Sequence, residues 1–160
     1  MDTITREQRS YVMSRIRSRD TLPEIVVRKW LWREGYRFRC QYKKLPGKPD
    51  IALPRLKTLI EVRGCFWHHH GWKWDGRKLV QVEECQTATS PKSNKRFWNA
   101  KFRANVRRDE RHEREWSELG WKAIIIWECA LKDASAREKT FSEVKKTLKA
   151  IEGAMQSTRR

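Results

Sequence analysis

The chain predicts an α/β domain with a mixed central sheet flanked by helices. Three observations carry this. From Tyr36 the apolar period changes from 3.6 to 2, placing Tyr36, Phe38, Cys40 and Tyr42 on one face and Arg37, Arg39 and Gln41 on the other. Behind Gly120, Trp121 to Trp127 is a nearly continuous apolar run, as expected of a strand covered on both faces at the sheet's centre. Around these strands lie segments with helical spacing. A length of 160 residues suits one domain, long enough to bury roughly 70% of the surface its unfolded chain exposes. The expected division is an arm over residues 1–20, one domain over 21–153 and a flexible tail over 154–160.

In order, Thr5-Arg6-Glu7-Gln8 reads as a capping box opening a helix over about residues 6–18, with Val12, Met13 and Ile16 as a thin ridge among arginines. Thr21-Leu22-Pro23-Glu24 repeats the signal, with Thr at the N-cap, Pro in the first turn and Glu at N3. That helix carries Ile25, Val26, Trp30 and Leu31 until Gly35. The cap alone is sufficient reason for Glu24. After the strand at Tyr36, Lys43 to Pro49 is a basic turn, Asp50 to Leu53 a short strand, and Lys57 to Val62 its hairpin partner. Cys40, at an alternating position, reads as core. Residues 71–93 show no regular element. Pro91 to Asn94 caps a long helix ending before Gly120, with Trp98, Phe102, Asn105, Asp109, His112 and Trp116 on one face. An acid on that face needs a cation or a metal. Phe141, Val144, Leu148 and Ile151 mark a last helix stopped by Gly153.

Thirty-seven Lys and Arg against twenty Asp and Glu give net +17, which predicts binding to a polyanion, nucleic acid above all. No apolar run reaches the ~18 residues of a membrane span, and the N-terminus has no signal core. A cytoplasmic, nucleoid-associated protein without membrane contact is expected. Nine tryptophans, several among basic residues, suggest base stacking as well as core.

The chemistry converges on Glu61 to His70. Four cysteines at 40, 65, 85 and 129 show no secreted pattern, so metal binding is the better reading of clustered Cys and His. Cys65, His70, Cys85 and Cys129 make a tetrahedral zinc set if the ends of neighbouring strands meet; buried free thiols are the alternative. Pro49-Asp50, followed by Glu61-Val62-Arg63, matches the PD-(D/E)xK pattern, in which two acids on adjacent strands share magnesium. Arg63 stands where that pattern has lysine and cannot act as a base. His68 is the candidate base, since imidazole titrates near neutrality.

Leu45 to Asp50, Gly64-Cys65-Phe66-Trp67-His68, Phe97-Trp98, Lys101, Asn105, Arg108-Asp109, Leu119-Gly120-Trp121 and Ile126 to Leu131 together resemble the very-short-patch-repair (Vsr) mismatch endonucleases, over about residues 5–132. The resemblance implies a restriction-endonuclease-like fold with structural zinc. The implied activity is strand-specific nicking 5′ to the thymine of T·G mismatches left by deamination of 5-methylcytosine. It further implies magnesium held by Asp50 and the Val62 carbonyl, water activation by His68, and support from Glu24 and Asp109. Phe66, Trp67 and Trp98 then wedge the stack from the major groove, with Met13 and Ile16 entering from the minor groove and Lys48 on the DNA. Where the family has a cysteine soon after the histidines this chain has Gly71-Trp72, and Cys85 is the substitute. Glu61 is either an added metal ligand and catalytic carboxylate or a salt-bridged strand residue. A monomer acting on double-stranded DNA, with accessory repair proteins as further partners, is expected. The alternatives are a nuclease of the same fold with another target and a non-catalytic zinc module that binds DNA.

Overall fold

The computed structural model describes residues 5, 7, 8, 11, 15 and 19–157. Met13 and Ile16 lie outside the described residues. The first capping box is in place: Thr5 N–H donates to Gln8 Oε1 at 2.8 Å and Gln8 N–H to Thr5 Oγ1 at 3.2 Å. Helix α1 spans Leu22–Arg33, and Gly35 beyond it takes φ +85°, which glycine adopts freely.

Strands β1 (Arg39–Cys40), β2 (Ile51–Leu53), β3 (Thr58–Arg63) and β6 (Lys122–Trp127) form a sheet in the order β1-β2-β3-β6. β1 and β2 are antiparallel, β2 and β3 are antiparallel with Ile51 opposite Ile60, and β3 and β6 are parallel with Arg63 opposite Trp127. The sheet is therefore mixed. Its central strand on burial is β3, not β6 as the apolar run predicts; β6 pairs on one side only. Being covered on both faces and being central in the hydrogen-bonding direction are separate properties. Ile124 and Ile126 face the main core while α2 (Lys95–Glu118) packs near the other face, so an edge strand acquires a central strand's composition.

The main core lies on one sheet face: Val27 and Leu31 of α1, Ile51, Ile60 and Ile126 of the sheet, and Val144 and Leu148 of α3 (Ala134–Ser157). On the other face Leu59 meets Trp116 of α2. α3 runs through Gly153 to Ser157, past its expected stop. One Gly in a helix costs only about 1 kcal/mol against Ala, less than the packing of that apolar stripe contributes.

The strand after Tyr36 shrinks to two residues, and Cys40 is exposed rather than core. Gln41 has φ +47°, which ends the alternation: Tyr36 and Phe38 pack on the main core, Tyr42 on the Trp116 side. Residues 71–93 contain a hairpin, β4 (Trp72–Trp74) and β5 (Leu79–Gln81). Its turn is Asp75-Gly76, with Asp75 Oδ1 accepting from Arg77 and Lys78 N–H at 2.8 and 2.7 Å and Gly76 at φ +100°. That Asp-Gly pair is the sequence signal passed over.

Candidate active site and metal cluster

Asp50 immediately precedes β2 and, by the antiparallel register, stands opposite Glu61 on β3. Its Oδ2 accepts from Val62 N–H at 3.0 Å and its Oδ1 from Gln41 Nε2 at 3.1 Å, while its own N–H donates to Glu61 Oε1 at 3.3 Å. A strand residue sends N–H and C=O to the same neighbour, so the Val62 carbonyl also leaves β3 on the Asp50 side. Burial pushes the Asp50 carboxyl above its usual range, against the pull of the Val62 N–H. Glu61 is pushed up to about 8 by burial and then by the charge of Asp50. Two crowded carboxylates with so little cationic relief fit a hard divalent cation.

Period two puts Glu61 and Arg63 on the face toward α2. Arg63 is buried and its Nη1 donates to Glu113 Oε1 of α2 at 2.6 Å. Glu61 is therefore not salt-bridged away from the site; it lines one cavity of about 710 Å³ with Asp50, His68, Asp109, Glu24 and Lys48. Within it His68 Nδ1 lies 2.6 Å from Asp109 Oδ2, and Arg108 Nη2 reaches Asp109 Oδ1 at 3.0 Å. Burial pushes the Asp109 carboxyl up, but the hydrogen bond and charge of His68 outweigh it and hold the group below the usual range. The acid on the helix face thus has an imidazole and an arginine as partners. Asn105 Nδ2 donates to the Trp67 carbonyl at 2.8 Å, fixing the loop that carries His68 to the same helix.

Glu24 is 3% exposed, and the capping explanation holds in altered form. Its carboxylate accepts from Asp20 N–H at 3.0 Å and Thr21 Oγ1 at 2.9 Å and pairs with Arg28 at 2.7 Å. Among the described residues it has no hydrogen bond to His68; it lines the cavity as an acid paired with Arg28.

Because β3 and β6 are parallel, Cys65 and Cys129 leave the same end of the sheet. With His70 and Cys85 they form a cluster whose ligand atoms all lie within 4.8 Å of one another. His70 Nδ1 is 3.6 Å from Cys65 Sγ and 3.5 Å from Cys129 Sγ, and its ring stacks on Trp127 at 4.0 Å. Burial and the neighbouring thiol of Cys65 push Cys129 up to about 12, the behaviour of thiols packed together without a cation; burial lowers His70, favouring the neutral imidazole a metal requires. Three sulfurs and one imidazole are a donor set suited to zinc. Cys85 arrives because the hairpin's base is closed: Gly71 O accepts from Val82 N–H at 2.7 Å and Glu83 N–H at 3.1 Å.

Between the cluster and the cavity, Phe66, Trp67 and Trp98 make an aromatic group with centroids 5.1–5.9 Å apart, Phe66 seated on Phe102. Lys101 Nζ lies 5.6 Å from the Trp67 centroid. Lys48 is exposed on a left-handed turn at φ +54° beside Asp50. Gln41, Glu113 and Glu128 are site-shaping residues that composition and spacing do not disclose. Glu128 Oε2 accepts from Cys65 N–H at 3.4 Å and borders the cavity.

A family model described as DNA mismatch endonuclease Vsr matches residues 1–74. The type II nicking enzyme V.NmeAIP of Neisseria meningitidis is 40% identical over 139 residues, covering 86% of this chain and 90% of its own. The type II nicking enzyme V.XorIIP of Xanthomonas oryzae is 39% identical over 137 residues, covering 86% and 91%. The DNA mismatch endonuclease Vsr of Escherichia coli is 36% identical over 142 residues, covering 89% and 81%. Likeness of this degree along most of the chain, over a site with these acids and this histidine, means that the chain belongs to the Vsr family of DNA mismatch endonucleases.

Proposed function

We propose that this chain is a magnesium-dependent, strand-specific endonuclease that nicks 5′ to the T of T·G mismatches arising from deamination of 5-methylcytosine. The observation that carries the reading is the pairing of His68 with Asp109 at 2.6 Å, in the same cavity as the crowded acids Asp50 and Glu61. Asp109 accepts from Nδ1–H, which leaves Nε2 as the basic nitrogen for a water. The carboxylates of Asp50 and Glu61 and the carbonyl of Val62 would hold magnesium, with Glu24 lining the same cavity as a supporting acid. Magnesium, when bound, neutralises the scissile phosphate and favours ionisation of the attacking water. His68 takes that water's proton, the water oxygen bonds to phosphorus, and the P–O3′ bond breaks with the proton returned to the 3′ oxygen from solvent.

Cys65, His70, Cys85 and Cys129 would hold zinc, which would tie down the loop between Cys65 and His70. That loop contains both the wedge residues Phe66 and Trp67 and the base His68, so one structural metal there would position both. Unstacking costs a few kcal/mol per step and least at a weak pair, so the T·G step is opened preferentially by Phe66, Trp67 and Trp98. The arm over residues 1–20 supplies further DNA contacts ahead of the nuclease domain over 21–153. The protein acts as a nucleoid-associated monomer, alongside accessory repair proteins. No helix among the described residues is long and apolar enough to cross a membrane.

Asp50→Asn tests the reading. Nicking of a T·G duplex in magnesium should fall by at least about a hundred-fold with duplex binding retained, within the range general for a lost catalytic group. Nicking that persists would exclude Asp50 as the metal-holding acid.

A further inference from the structure

His112 belongs to the cavity but not to the machinery above. It sits on α2 one turn beyond Asp109 and lines the same cavity as Asp50, Lys48 and His68. Its ring tilts against Trp116 at 5.8 Å and presses on the turn before Asp50 so closely that a Cβ at Gly47 would lie 2.5 Å from its Nδ1. Trp116 Nε1 reaches the Pro46 carbonyl of that turn at 2.8 Å. Two successive turns of α2 therefore grip Pro46-Gly47-Lys48. The roles of the cavity's two imidazoles differ. His68 is held by Asp109 through Nδ1, whereas His112 has no hydrogen-bond partner among the described residues. A half-buried imidazole with nothing to bond, lining with Lys48 the cavity read as the cleavage site, suits an anionic oxygen.

We propose that His112, with Lys48, binds a backbone phosphate of the DNA in the cleavage cavity. The proposal rests on the reading of this cavity as the cleavage site. An imidazolium donating to a phosphate oxygen forms a charge-assisted hydrogen bond, and the Gly47 contact seats His112 against the turn that carries Lys48, so both residues line the same cavity. Burial keeps the free imidazole toward neutrality, with Glu115 and Asp109 of its own helix opposing and Arg111 and Arg108 adding to that effect; Lys48 is the charged group on the turn packed against it. A bound phosphate reverses the balance, so DNA binding takes up a proton.

The test uses the full chain and a T·G duplex, with His112→Ala and His112→Asn each made alone and also in an Asp50→Asn background that binds without cutting. Loss of one charge-assisted contact is expected to weaken binding by roughly ten-fold, with the single-turnover rate at saturating duplex within about two-fold of wild type. Wild-type binding should tighten as pH falls from 8 to 6, and His112→Asn should flatten that response. Unchanged affinity, or a lower saturated rate with unchanged affinity, would overturn the proposal; the latter would make His112 a support for the Asp50 turn. Should His112→Ala fail to fold, His112→Asn carries the same measurements. Nicking that survives in Asp50→Asn alone would instead refute the cleavage-site reading, while the binding comparison still reads His112 separately.

Discussion

The Asp50 backbone N–H donates to the Glu61 carboxylate at 3.3 Å across the β2–β3 hairpin, so two acids face one cavity with little cationic relief. In the metal-free protein Glu61 titrates near 8 against an ordinary 4.5. Between those values the folded chain binds more protons than the unfolded one, so this group's contribution to stability is present at low pH and is lost as pH rises through about 8. The melting temperature in chelator should fall between pH 5 and 8, magnesium should raise it most at the alkaline end, and Glu61→Gln should remove most of the slope. A melting temperature independent of pH and magnesium across that window would contradict the two-acid site.

Asp109 has the opposite sign. Its carboxyl is held below the ordinary 3.8, so its contribution is present above that value and is lost as pH falls through the lower folded one. Asp109→Asn should flatten the melting-temperature drop at the acid end. It should also lower single-turnover nicking by about 10²- to 10⁴-fold by releasing the His68 ring, with duplex affinity nearly unchanged. Nicking within two-fold of wild type would remove Asp109 from the role of orienting His68.

The hairpin insert makes a prediction about metal. A Cβ at Gly71 would lie 2.2 Å from the Glu83 carbonyl oxygen, and the backbone there is left-handed at φ +85°. Gly71→Ala should open the loop base and displace Cys85, lowering bound zinc and the melting temperature together. Gly76→Ala, at φ +100° with open space around it, should strain only the hairpin tip and leave zinc content unchanged. Cys85→Ala should reduce zinc content as well; full zinc in that variant would sink Cys85 as a ligand.

The wedge is testable apart from the chemistry. Trp67→Ala removes a ring that contacts Phe66 and Trp98 in the group beside the cavity. Stacking is worth about 1–3 kcal/mol per base, so mismatch binding should weaken by roughly ten- to a hundred-fold while zinc content holds. Equal loss of affinity for matched and mismatched duplex would assign Trp67 to general binding instead.

The parts of this fold legible in sequence are those governed by local chemistry. The cap at Thr5, the helix start at Thr21, the hairpin from Asp50 to Glu61 and the single face of α2 that carries Asp109 follow from residue type and spacing, and their register brings Asp50 opposite Glu61 and Asp109 to His68. The misread parts depend on long-range pairing. Nothing within Trp121 to Trp127 says that only one neighbour pairs with it, and nothing around Cys40 announces the left-handed Gln41 that turns the next side chain to the other sheet face. Arg63 illustrates the same limit: its partner Glu113 is fifty residues away, so whether it joins the cavity's chemistry or ties β3 to α2 is decided only by packing.

Mapping the cut tests the proposed T·G nicking most directly. Duplexes end-labelled on either strand and carrying T·G, another mismatch or a fully paired site are incubated with the protein and magnesium, and the product ends are read to the nucleotide. The prediction is a single nick immediately 5′ to the mismatched T, on that strand alone, with paired duplex left intact. Equal cutting of paired duplex, a nick on the G strand, or tight binding of the mismatch without any cut would contradict it.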